Sequence, residues 1–137
     1  MRRFLLLPLL YLSACSGAVP EASLVGIYVA SFRGEAATLV LRPDHTYVHT
    51  IRADNRQIAE DVATWNVTQM EHAGSKRTVV EFRDFRLIPS FRETERDKSK
   101  IKVGWATEVE WNWLGRIQLC FDSDVGYCYD QTASVAK

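Results

Sequence analysis

Apolar and polar positions alternate with a period of two over most of the chain beyond residue 24. That spacing places successive side chains on opposite faces of a β-strand. In residues 24–32, Gly26, Tyr28, Ala30 and Phe32 share one face, and Val25, Ile27 and Val29 the other. Further runs occupy residues 36–41 and 47–52. Between them, Arg42-Pro43-Asp44-His45-Thr46 reads as a hairpin turn. Pro43 presets φ at the first central position, Asp44 can bond the backbone ahead of it, and His45 takes the left-handed position. Residues 53–61 are polar, with a turn at Asp54-Asn55. Residues 62–68, carrying Trp65, and 76–83, carrying Val80 and Phe82, make two more strands around His72-Ala73-Gly74-Ser75.

The cleanest alternation spans residues 105–113. Trp105, Thr107, Val109, Trp111 and Trp113 fall on one face, and Ala106, Glu108, Glu110 and Asn112 on the other. This predicts a half-buried strand whose indoles, with Trp65, supply a large core. A turn at 113–116 leads to a strand at 116–121, with Ile117, Leu119 and Phe121 inward. Residues 127–130 form the last strand, and 131–137 read as a frayed tail. Residues 84–104 are less regular. Phe85, Leu87, Ile88 and Phe91 alternate with charges, and residues 92–102 hold five basic and three acidic side chains. That charged run reads as a solvated loop, with a contact for an acidic partner as its functional alternative.

Seven or eight short strands without an amphipathic helix predict an all-β fold, an antiparallel meander forming a small barrel. A two-sheet β-sandwich is the alternative. One domain suits 137 residues, of which 47% are hydrophobic and 25% charged.

The first residues read differently. Arg2 and Arg3 precede a nine-residue apolar run at 4–12, interrupted only by Pro8. A bilayer-spanning helix needs about 20 apolar residues, so the run suits the core of a signal peptide instead. Leu12-Ser13-Ala14-Cys15 then resembles the lipobox of bacterial lipoproteins. The resemblance implies cleavage before Cys15, a diacylglycerol on its thiol and a fatty acyl chain, such as palmitate, on its new amine. Two or more chains hold durably where one holds only marginally. Ser16, in place of the aspartate that favours inner-membrane retention in enteric-type lipoproteins, implies an outer-membrane address facing the periplasm. Residues 1–14 are thus the expected signal peptide, 15–23 the lipidated cysteine and a tether, and 24–130 the β domain. The tether's eight residues reach at most about 28 Å, keeping the domain close to the membrane. The alternative is a soluble secreted protein in which Cys15 is incidental.

Composition bears on partners. The whole chain has 17 basic and 17 acidic residues. Removing Arg2 and Arg3 with the leader leaves 15 basic residues, a net charge of −2. A slightly acidic domain is poorly suited to nucleic acid, whose binding is dominated by phosphate neutralisation. Three cysteines are an odd number for an exported chain. If Cys15 carries lipid, Cys120 and Cys128 are left to pair in an oxidising compartment. Two reduced thiols, or one in mixed-disulfide chemistry, remain the alternative. The spacing is not Cys-x-x-Cys, which weakens a redox role.

Two stretches of the mature chain resemble known proteins. Gly26-x-Tyr28, Leu39-x-Leu41, Pro43-Asp44-x-Thr46-Tyr47 and Trp65 are similar to the opening of small periplasmic lipoproteins with lipocalin-like β-barrels. Those usually carry Asp-Gly-Thr-Tyr at the turn, and His45 departs from that. Gly115-Arg116-Ile117-x-Leu119-Cys120, followed by Asp122 and Gly126-Tyr127, resembles the end of uncharacterised bacterial proteins of similar size. These resemblances imply a fold and a compartment, and no activity.

No catalytic constellation stands out. His45 and His49 are four apart, a spacing of roughly 13 Å on a strand and too far to share a metal; His45 sits in the turn, which can shorten it, but no carboxylate beyond Asp44 is nearby in sequence. Glu108 and Glu110 sit side by side on a solvated face, whereas a glycosidase needs carboxylates flanking the scissile bond. No nucleophile elbow, zinc-protease motif or phosphate-cradling glycine loop occurs. The expectation is therefore a non-enzymatic, membrane-anchored envelope lipoprotein without cofactor or metal, whose β domain contacts or inhibits an envelope protein. The alternative is a lipocalin-like carrier of a small apolar ligand lined by Trp65, Trp105, Trp111 and Trp113. An unrecognised hydrolase built from distant residues is the third reading.

Overall fold

A computed structural model describes residues 18–86, 102–124 and 126–134. The leader with Cys15, and all of the charged run except Lys102, lie outside the described residues.

Eight antiparallel strands follow one another around a closed barrel: β1 (Gly26–Phe32), β2 (Glu35–Leu41), β3 (Thr46–Ala53), β4 (Arg56–His72), β5 (Ser75–Arg86), β6 (Lys102–Trp111), β7 (Ile117–Asp122) and β8 (Tyr127–Ser134). The meander barrel predicted from the alternation is the fold, and the two-sheet alternative is set aside. The inward phase carries the apolar residues. Tyr28, Leu39, Leu41, Tyr47, Ile51, Trp65, Val80, Phe82, Phe85, Ile117, Leu119 and Tyr129 are all buried. Apolar inside with charges outside is the reverse of a membrane-spanning barrel.

Two turn chemistries connect the strands. Arg33-Gly34, Asp54-Asn55 and Ala73-Gly74 are two-residue connections with positive φ at both positions, which matches the twist of the flanking strands. Apart from the β5–β6 connection, the other three are tight turns closed by a residue at positive φ: His45 at 62°, Gly115 at 69° and Gly126 at 71°. At the first of these, Asp44 accepts hydrogen bonds from the Thr46 amide at 3.0 Å and the Thr46 hydroxyl at 2.6 Å.

Several elements differ from the sequence pattern. β4 begins at Arg56, six residues earlier than expected, because its inward phase there holds Asp61 between the small residues Ala59 and Ala63. A bulge in β5, with Asp84 at positive φ, turns both Phe82 and Phe85 inward although they are three residues apart. Lys102, assigned above to a loop, opens β6. Residues 131–134, read as tail, complete β8 and pair with β1.

The stretch read as a tether is a correction too. From Ala18 onward it belongs to the fold. The amide of Val19 donates to the Thr78 hydroxyl on β5 at 2.8 Å. A single helical turn, α1 (Glu21–Leu24), follows. The Leu24 and Ser23 carbonyls accept from the Tyr28 hydroxyl at 2.7 Å and from Gln131 at 2.9 Å. Because β5 lies opposite β1 and β8 around the ring, this strap crosses one mouth of the barrel. Its own Val19 and Leu24 side chains are buried.

Closure depends on β1 meeting β8. A Cβ on Gly26 would stand 2.4 Å from the Ala133 carbonyl oxygen and 3.0 Å from Gln131 Nε2. Only glycine admits that approach. Gly26→Ala is therefore expected to destabilise the protein by about 1–3 kcal/mol. In amide hydrogen exchange the loss of protection should concentrate in β1 and β8. Protection equal to that of the parent chain would show that the seam tolerates a side chain.

Candidate functional site

The structure separates the four tryptophans. Trp65 and Trp105 are interior. Trp65 donates its indole N–H to the Arg42 carbonyl at 3.1 Å. Trp105 stacks on Phe82 at 4.9 Å and packs against Phe85 at 4.7 Å. Trp111 and Trp113 correct the expectation of a four-indole lining. They are 60% and 91% exposed. Trp111 keeps the inward phase but lies at the rim, and Trp113 belongs to the turn beyond it. Inside, further ring contacts of 4.5–6.1 Å join His49, Tyr47, Phe121, Tyr127 and Tyr129 to this cluster. Aromatic side chains thus form one connected cluster inside the barrel.

Two polar groups lie among them. His49 is fully buried, stacked on Phe85 at 4.5 Å, and shares one hydrogen bond of 2.9 Å between its Nε2 and the Tyr129 hydroxyl. The Tyr129 and Tyr127 hydroxyls are themselves hydrogen-bonded at 2.9 Å. His49 Nδ1 has no hydrogen-bond partner among the described residues. Burial, partly offset by the Asp61 charge and reinforced by that of Arg86, pushes the imidazole down to about 4 and the Tyr129 phenol upward. Asp61 also faces inward, toward the opposite end from the strap. Arg86 donates to both of its oxygens, at 2.5 and 3.0 Å, and the Lys102 ammonium stands 2.8 Å away. Hydrogen bonds from Arg86, then from Lys102, hold the carboxyl down at about 2 against the cost of burial. The two cations sit at the roots of the 87–101 connection, so the cluster fastens both ends of that connection to β4. Sequence reasoning weighed His49 only as a metal ligand and passed over Asp61. The inward phase of His49 between Tyr47 and Ile51 was the available signal.

The remaining candidates are dispersed. His45 meets Glu21 at 3.3 Å on the outside, turned away from His49. Glu108 pairs with Arg77 at 2.6 Å, and Glu110 is exposed. Among the described residues, no three His, Cys, Asp or Glu side chains gather to hold a metal ion. Cys120 and Cys128 are cross-strand partners on β7 and β8 and form a disulfide.

Two surface features organise the exterior. At the strap end, an open cleft of about 450 Å³ lies between Ser23, Trp111, Arg116, Ile117, Gln131 and Ala133. Around the wall, Ala133, Ile27, Val40, Val48 and Val62 are successive cross-strand partners in the outward phase. They form an apolar stripe across five strands, ending at Val62, which is 60% exposed. Outward apolar rows of this kind mark contact surfaces more often than scattered single residues do.

The interior histidine makes stability depend on pH in a definite direction. The unfolded imidazole takes a proton near pH 6.5, while the folded one resists until about pH 4. The unfolded state therefore binds more protons in this window, and stability falls as pH drops from 6.5 to 4. The loss is about 3 kcal/mol. Below it, Asp61 adds a further loss as its folded carboxylate is finally protonated. His49→Gln cannot take up that proton, and urea midpoints measured from pH 7 to pH 4 should change much less than in the parent. An unchanged slope would remove His49 as its source.

No family model, curated protein or solved structure matches this chain.

Proposed function

We propose that this protein is a membrane-anchored lipoprotein of the bacterial envelope whose barrel is a non-enzymatic module for contacting another envelope protein. The observation that carries the anchor is the pairing of Cys120 with Cys128. It uses two of the three cysteines and leaves Cys15, directly behind a short apolar leader and two small residues, as the one outside the pair. A disulfide suits an oxidising compartment, and a lipobox in that setting supplies an acylated N-terminus. Ser16 favours the outer membrane, with the barrel facing the periplasm.

The protein-contact role rests on the exterior. A barrel filled with rings has its chemistry on its surface, and the Ile27–Val40–Val48–Val62 row is the apolar exterior feature that runs continuously across strands. An edge-free barrel offers no strand for pairing, so a partner would be bound by side-chain packing on this row. The His49–Tyr129–Tyr127 chain and the inward Asp61 with its two cations link strands to one another, which fits a scaffold better than a catalyst.

Cys15→Ser is expected to abolish lipid attachment, leaving an uncleaved precursor or moving the protein from the membrane pellet to the soluble fraction. Mass spectrometry of the parent's N-terminal peptide should show the acyl chains. Unchanged fractionation with an unmodified Cys15 would reject the anchor. For the partner, a photo-crosslinking residue at Val62 should capture an envelope protein that the same group at Lys76 does not. Equal or no capture at both positions rejects the stripe as the contact.

A further inference from the structure

The turn joining β6 to β7 is built against the usual chemistry of turns. Its two central positions, normally given to Pro, Asp, Asn, Ser or Gly, hold Trp113 and Leu114, which are 91% and 53% exposed. The turn is nevertheless tightly made. The Gly115 amide donates to the Asn112 carbonyl, and the Asn112 amide to the Arg116 carbonyl, each at 2.9 Å. Asn112 Oδ1 accepts from the amides of Leu114 and Arg116, both at 3.0 Å. Asn112 Nδ2 and Gln118 both donate to Asp130 on β8, at 2.9 and 3.0 Å. Two large apolar side chains are thus held outward on a braced support, with Trp111 half-exposed behind them. A rigid turn presents such a pair without the ordering cost that a flexible loop would incur on binding.

What covers them follows from where the chain enters. The strap that begins at Ala18 crosses this same mouth. Ala22 and Ser23 line the cleft together with Trp111 and Arg116. Cys15 lies three residues before Ala18, so its reach from the strap is at most about 11 Å. Resting on the lipoprotein reading, we propose that the β6–β7 hairpin is a second membrane contact, inserting Trp113 and Leu114 into the interfacial layer of the phospholipid bilayer that the lipid on Cys15 enters. Indole is the side chain that prefers this layer, with its ring in the apolar zone and its N–H toward the headgroups. Arg116, exposed at the foot of the turn, reaches the phosphates. Two acids at this mouth are engaged locally: Glu21 meets His45, and Asp44 is held by Thr46. Lipid and hairpin together make two points of attachment, which fixes the tilt of the barrel and directs the opposite mouth, where Asp61 binds Arg86 and Lys102, away from the membrane.

The test uses the full chain, processed in a bacterial host and reconstituted into vesicles of phosphatidylethanolamine and phosphatidylglycerol, with or without bromine on the acyl chains. Bromine quenches only indoles that enter the bilayer, and buried Trp65 and Trp105 serve as internal controls. The expected result is quenching of the parent's emission that is largely lost in Trp113→Phe, a change that leaves the Asn112 brace intact. Equal emission with and without bromine overturns the proposal. So does protection of Trp113 from aqueous acrylamide without bromine quenching, which assigns the hairpin to contact with a second copy. The mass of the Cys15 peptide, taken on the same sample, reads the anchor separately. A lipidated Cys15 with unquenched Trp113 defeats the hairpin contact and leaves the anchor standing. Quenched Trp113 beside an unmodified Cys15 does the reverse.

Discussion

The seam between β1 and β8 is the constraint on which the rest of the molecule depends. An open eight-stranded meander exposes two edges of unpaired backbone groups, and closing it removes both at once. Closure brings Gly26 against the Ala133 carbonyl at a distance no side chain would permit. It also sets the diameter. An eight-strand barrel is just wide enough for its own side chains to fill, and here the filling is aromatic, with Phe82, Phe85, Trp105, Tyr127 and Tyr129 in mutual contact. With the rings in the middle, the open cleft lies at one mouth and the apolar row on the outer wall.

Much of this architecture is legible as period-two alternation, and the turns are legible as local chemistry. The Pro43-Asp44-His45 turn forms with His45 left-handed and Asp44 bonded forward, for the reasons the residue types supply. What alternation does not carry is where a sheet ends. Trp111 and Trp113 continue the inward phase of β6, but the wall stops at Trp111, and the next inward position is a turn in water. Nor does alternation mark a face whose inward residues are polar or small. Asp61 between Ala59 and Ala63 inverts the apparent pattern of β4, with Ile58 and Val62 outside, and so hides six residues of strand. The strap is illegible for a related reason. Val19 and Leu24 are isolated apolar residues among small ones, and only the mouth they cover makes them core.

The polar interior carries a cost. A buried imidazole nitrogen without a partner forfeits about 1–3 kcal/mol, and an inward carboxylate must be desolvated. Asp61 is compensated by two cations, whereas His49 gains only one hydrogen bond and a stacked ring. The two groups do different structural work. Asp61 gathers Arg86 and Lys102, the residues on either side of the 87–101 connection, and so ties β4 to the ends of β5 and β6. His49 links β3 to β8 through Tyr129, a contact across the barrel rather than along its wall. The first survives acid down to about pH 2, while the second is fully neutral only above about pH 6.

The two mouths are therefore unlike in kind. One is crossed by the strap, carries the chain's entry point and the end of β8, and displays indoles on a braced turn. The other is built around a carboxylate shared by two cations and gives rise to the 87–101 connection. A barrel with equivalent ends would gain nothing from orientation. One with exposed indoles at one end and a carboxylate held by two cations at the other has a built-in direction, which is what the proposed anchor would use. The apolar stripe through Ile27, Val40, Val48 and Val62 runs around the wall between these ends. A partner bound there would lie beside the barrel and leave the mouth around Asp61 uncovered.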